Sequence, residues 1–99
     1  MNWEQKLQAL SAIGSDISLN MRKPGDWYVD HRGVDTKEVE GSCCIVGRYG
    51  NGVTPAAAVE DHWFRLTEEQ PLAYLVVSGL GGARRYVRWN GFMWQDVPR

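Results

Sequence analysis

Apolar side chains recur at two different periods along this chain, and the switches between them mark its elements. Trp3, Leu7 and Leu10 fall on one face of a helix. Asn2 followed by Gln5 has the form of a capping box and Gly14 is placed to stop the turn, so residues 3 to 13 read as the first helix. Ile17, Leu19 and Met21 then alternate with polar residues up to Arg22. Lys23-Pro24-Gly25-Asp26 reads as a turn, and Trp27-Tyr28-Val29 resumes the extended pattern, which together predict a hairpin. From His31 to Gly41 the sequence is charged and weakly patterned, and a long flexible connection is expected. Ser42 to Arg48, with Cys43, Cys44, Ile45 and Val46 in an unbroken apolar run, reads as a buried third strand.

The next stretch carries the strongest local signal. Gly50-Asn51-Gly52 reads as a glycine turn, Thr54 can cap the first free amides, and Pro55 suits the first helical position. Val59, Trp63 and Leu66 recur at i, i+4 and i+7, so a second helix is expected from Pro55 to Thr67, ending before Pro71. Leu72 to Ser78 reads as a further strand and Gly79-Leu80-Gly81-Gly82 as its turn. Asn90-Gly91 is the favoured pair for a two-residue type I′ turn, which predicts a terminal hairpin with Trp89 opposite Phe92, Val87 opposite Trp94 and Arg85 opposite Asp96. The other hairpin face then carries Arg84, Tyr86 and Arg88.

Length and composition fit one domain, residues 1 to 99, of α+β class: an antiparallel sheet with two helices on one face and a C-terminal hairpin extension. Net charge is −1, without the whole-domain basic footprint of a phosphate-backbone binder. The distribution is uneven. Residues 71 to 99 hold four arginines against Asp96, whereas residues 1 to 70 hold seven basic and eleven acidic side chains. Adjacent Cys43 and Cys44 cannot staple distant segments, so reduced thiols and a cytoplasmic location are expected, with no leader and no membrane span.

Residues 2 to 67 resemble, in the order of their elements, the α-β-β-β-α plan of the double-stranded-RNA-binding-domain fold, with Gly50-Asn51-Gly52-Val53-Thr54 and then Ala57 and Ala58 where that fold opens its second helix. The resemblance implies that the start of the second helix would grip phosphates; the lysines that do so in RNA-binding members are Pro55, Ala56 and Ala57 here. In style, phrases such as Gly25-Asp26-Trp27-Tyr28-Val29 and Arg88-Trp89-Asn90-Gly91-Phe92-Met93-Trp94 are similar to small proteins of tailed phages and prophages. That resemblance implies a protein acting on host machinery, inhibition of host defence included.

Candidate chemistry narrows the choice. Cys43, Cys44, His31 and His62 hold the donor types for zinc, but adjacent strand residues point to opposite faces, and no metal or cofactor is expected. A thiol paired with His62 or His31 would define a cysteine-dependent enzyme; no nucleophile signature accompanies it, and His62 beside Asp61 reads as a partly exposed surface residue. Glu60-Asp61 and Glu68-Glu69 read as solvated carboxylates, and Gly47-Arg48-Tyr49-Gly50 leaves a strand and is not a loop between helices. What remains is Arg84, Tyr86 and Arg88, a basic stripe with an aromatic at its centre, with Arg48 and Tyr49 as weaker additions. The expectation is a non-catalytic binding protein that contacts a host protein through these residues. Nucleic-acid binding is the alternative, and Trp89, Phe92 and Trp94 on one hairpin face raise a homodimer if no helix covers them.

Overall fold

The computed structural model describes residues 1–39, 44–45, 48–69, 73–78 and 82–98. Among them the chain runs α1 (Trp3–Ser11), β1 (Asp16–Lys23), β2 (Asp26–Arg32), β3 (Val34–Val39), β4 (Cys44–Ile45), β5 (Tyr49–Gly52), α2 (Pro55–Trp63), a π-helical turn (Phe64–Glu68), β6 (Ala73–Ser78), β7 (Arg84–Trp89) and β8 (Trp94–Asp96). The class is α+β.

Both helices start as their sequences dictate. Asn2 accepts from the Gln5 amide at 2.8 Å while the Gln5 side chain accepts from the Asn2 amide at 2.9 Å, the reciprocal capping box. Thr54 accepts from the Ala57 amide at 3.0 Å ahead of Pro55. The last turn of α2 then widens, the Glu69 amide donating to the Phe64 carbonyl five residues back at 2.8 Å. Lys37, buried on β3, donates its ammonium to the Arg65 carbonyl in that turn and lies 3.5 Å from the Glu69 carboxylate. Burial pushes the Lys37 pKa down, and Glu69 partly restores it.

The strands form two antiparallel sheets, not the single sheet expected: β1-β2-β5 and β4-β3-β6-β7-β8. The chain crosses between them at Gly33, whose φ of +83° is open to glycine, and where a Cβ would stand 2.5 Å from the Ser15 amide nitrogen. This crossing corrects the expected flexible connection from His31 to Gly41. β2 continues to Arg32 and β3 begins at Val34, because Val34, Lys37 and Val39 pair with Val77, Leu75 and Ala73 and so align with an apolar strand. Tertiary pairing outweighs weak local patterning there. Of the expected strand from Ser42 to Arg48, Cys44–Ile45 pairs with β3, Arg48 is outside any strand, and 42, 43, 46 and 47 lie outside the described residues. The expected turn at 79 to 82 is likewise described only at Gly82.

Gly50 and Gly52 do not make a turn. They lie in β5, paired with Val29 and Trp27 of β2, and they let α2 rest directly on the strand. A Cβ at Gly50 would be 2.5 Å from the His62 Cβ and 2.7 Å from the Ala58 carbonyl oxygen; at Gly52 it would be 2.4 Å from the Ala58 amide nitrogen. The terminal hairpin is also corrected. Trp89 pairs with Trp94 and Arg88 with Gln95, so Asn90–Met93 forms a four-residue loop. Asn90 closes it by accepting from the Phe92 and Met93 amides at 2.9 and 3.0 Å, an Asx arrangement that outcompetes the tighter turn. A slip of two residues preserves the faces.

The core lies between the helices and the inner faces of both sheets, with Leu10, Val29, Val59, Trp63, Leu75 and Val87 at its centre. Trp63 of α2 meets Trp89 and Trp94 edge to face, with ring centroids 4.8 and 6.0 Å away. Trp94 Nε1 donates to the Ala9 carbonyl of α1 at 2.7 Å.

Candidate functional site

Alternation along β7 sorts its side chains onto two faces. Val87 and Trp89 point inward, Val87 completely buried and Trp89 against Trp63. Arg84, Tyr86 and Arg88 therefore share the outward face, as expected from sequence. Arg84 and Arg88 are exposed, and among the described residues neither makes an ion pair; Arg85 reaches Asp96 at 3.2 Å instead. Tyr86 is half-buried beside Val76, its cross-strand neighbour, and its ring meets that of Tyr74 edge-on at 6.1 Å. The Tyr74 hydroxyl donates to Glu38, and the Ser78 hydroxyl to the Asp35 carboxylate at 2.7 Å. The result is an outward sheet face with two tyrosines at its centre and two exposed guanidiniums on β7.

Arg48 and Tyr49 are elsewhere, beside the first sheet. Arg48 donates from Nε to one Asp30 carboxylate oxygen at 2.8 Å and from Nη2 to the other at 3.3 Å, with its guanidinium 5.0 Å above the Tyr49 ring. The Arg48 hydrogen bond holds the Asp30 carboxyl below its ordinary pKa, burial opposes it, and the charges of Arg48 and Arg32 add to it. Arg48 is thus committed within the molecule, and the structure joins it to Tyr49 and Asp30, not to the β7 stripe. A groove of about 390 Å³ lined by His31, Arg32, Gly33, Val34, Asp35 and Arg48 marks the seam between the sheets.

Trp89 and Trp94, two of the three aromatics in the homodimer argument, are partly buried against Trp63 of α2, and Trp94 also bonds to Ala9 of α1. Phe92 stays outside at the hairpin tip, 91% exposed. Cys43 lies outside the described residues and Cys44 is described in its backbone only.

The largest departure from expectation concerns the histidines. His62 is not a surface residue: both His31 and His62 are completely buried, and His31 Nδ1 lies 2.9 Å from His62 Nε2. His31 Nε2 lies 2.8 Å from the Ile13 carbonyl oxygen, while His62 Nδ1 has no hydrogen bond. Burial lowers both pKa values, that of His62 to about 4, with the neighbouring His31 adding to the shift and the Tyr49 backbone opposing it. The signal was present in sequence. His31 has the strand parity of Val29, and His62 stands three residues after Val59 on the buried helix stripe.

Among the described residues no three His, Cys, Asp or Glu side chains gather as a metal site. None of their helices is long and apolar enough to cross a membrane. Comparison of the chain with protein-family models, curated proteins and solved structures gives no match.

Proposed function

We propose that this protein works by contact and not by catalysis, laying the outward face of β7 against an acidic surface of a protein partner. The observation that carries the reading is the pair of exposed arginines, unpaired among the described residues, that flank Tyr86 at a spacing of roughly 13 Å along the strand. Every other arginine whose side chain is described, apart from these two, has a carboxylate within 4 Å. Arginine and tyrosine are the residue types that dominate binding energy at protein interfaces, through forked hydrogen bonds and flat amphipathic area. The setting that fits is the bacterial cytoplasm, with the protein acting on a host component as small phage or prophage proteins do, and inhibition of a host defence complex is one such task.

Affinity capture from bacterial lysate, comparing the native chain with an Arg84→Ala, Tyr86→Ala, Arg88→Ala variant, tests this reading. One protein retained by the native chain and lost by the variant, with both chains folded by circular dichroism, supports it. Equal retention refutes the surface. A salt titration against duplex RNA and single-stranded DNA runs beside it, because steep salt-dependent binding of either would favour the nucleic-acid alternative.

A further inference from the structure

His31 and His62 belong to elements that must stay together, β2 and α2, and the protons between them can be placed by elimination. The Ile13 carbonyl can only accept, so His31 Nε2 carries a hydrogen. A neutral His31 then offers a lone pair at Nδ1, and His62 must donate to it from Nε2. What is left is a bare lone pair at His62 Nδ1, buried and without a hydrogen bond. One proton can enter there and break nothing, since the His62 imidazolium still donates to His31. A second proton must go to His31 Nδ1, which sets two N–H groups and two like charges face to face across 2.9 Å. No arrangement of two charged rings preserves that contact.

We propose that the His31–His62 bridge is an acid-operated latch between α2 and the first sheet, closed while the pair carries at most one proton and open when both rings are charged. The latch adds to the apolar seat of Ala58 and Val59 and to the bond that the Asn51 amide donates to Asp61. α2 rests on β5 through bare glycine backbone, so no side chain interlocks at Gly50 or Gly52. The charged groups around the pair are already engaged: Asp30 with Arg48 and Arg32, Asp61 with Arg65 and the Asn51 amide, and Lys6 of α1 with Glu60 of α2. From α1 the pair meets the backbone of Leu10, from the turn after it that of Ile13, and from β5 that of Tyr49. Trp63 follows His62 directly, so opening the latch draws Trp63 off Trp89 and Trp94 and uncovers an aromatic surface that the closed form hides.

Imidazole nitrogen NMR and amide hydrogen exchange, followed together from about pH 7.5 to about pH 3.5 and corrected for intrinsic exchange, test the latch. At neutral pH both rings should show Nε2–H with an unprotonated Nδ1. On acidification the opening of α2, β2 and β5 should steepen toward a hundredfold per pH unit, the mark of two protons, while β6 and β7 stay protected. His62→Gln keeps a donor toward His31 but cannot titrate, so its slope should fall to tenfold per unit. A native slope limited to tenfold, unchanged protection of α2 down to pH 4, or loss of β6 and β7 at the same pH would each overturn the proposal. If His62→Gln does not fold, the native slope and the ring signals decide alone.

Discussion

Replacing Gly50 with alanine adds one methyl group where α2 lies on β5. The new carbon would sit 2.5 Å from the His62 Cβ, 2.7 Å from the Ala58 carbonyl oxygen and 2.8 Å from the His62 amide nitrogen. Ordinary carbon contacts begin near about 3.5 Å, so the helix must retreat by about 1 Å, and two of the three obstacles are backbone that cannot rotate away. Overpacking of this kind costs about 1–3 kcal/mol, and rigid obstacles place Gly50→Ala at about 3 kcal/mol. Gly25→Ala is the matched comparison. Its site has open space around it but a φ of +80°, so it carries only left-handed backbone strain of about 1 kcal/mol. Urea unfolding monitored by circular dichroism measures both. With a slope of roughly 1.5 kcal/mol per molar, the Gly50→Ala midpoint should fall by about 2 M and the Gly25→Ala midpoint by about 0.7 M. If Gly50→Ala costs no more than Gly25→Ala, the close seating of α2 on β5 is wrong.

Trp63→Ala removes the ring that joins α2 to Trp89 and Trp94 and should cost about 3–5 kcal/mol in the same urea assay. Arg84→Ala with Arg88→Ala should leave thermal stability within about 0.5 kcal/mol of the native chain, since both side chains are exposed and lack ion pairs among the described residues. A larger loss would mean that these arginines hold the sheet together. Stability should fall on acidification. The unfolded chain binds protons at histidine below about pH 6.5 while folded His62 stays neutral down to about pH 4, so stability is complete above the first value and lost between the two. A shift of that size corresponds to about 3 kcal/mol for His62, read as denaturant midpoints at successive pH values, and His62→Gln should flatten the profile.

Local chemistry was legible in the sequence wherever it acts over one or two turns of chain. The capping box at Asn2, the Thr54-Pro55 start of α2 and the strand parity that puts Arg84, Tyr86 and Arg88 on one face all follow from neighbours within a few residues. What eluded sequence reasoning depends on distant partners. The charged stretch from His31 becomes strand because β6 offers an apolar ladder more than thirty residues away. The second sheet exists because Gly33 redirects the chain beside Ser15. His62 is buried because two glycines on another strand leave room for its helix to descend, and its partner His31 lies 31 positions upstream. No window of local composition contains those facts. The glycines of β5 have the local signature of a turn, but their use is thinness.

Trp94 reaches across to the Ala9 carbonyl, 85 positions earlier in the chain. During synthesis, therefore, α1 emerges from the ribosome long before the indole that secures it, and its inward side stays open to other molecules while the intervening residues are made. The apolar side chains of Trp3 and Leu7 wait through that interval. A nascent chain halted before residue 94 should be held by general chaperones in a way that the finished polypeptide is not.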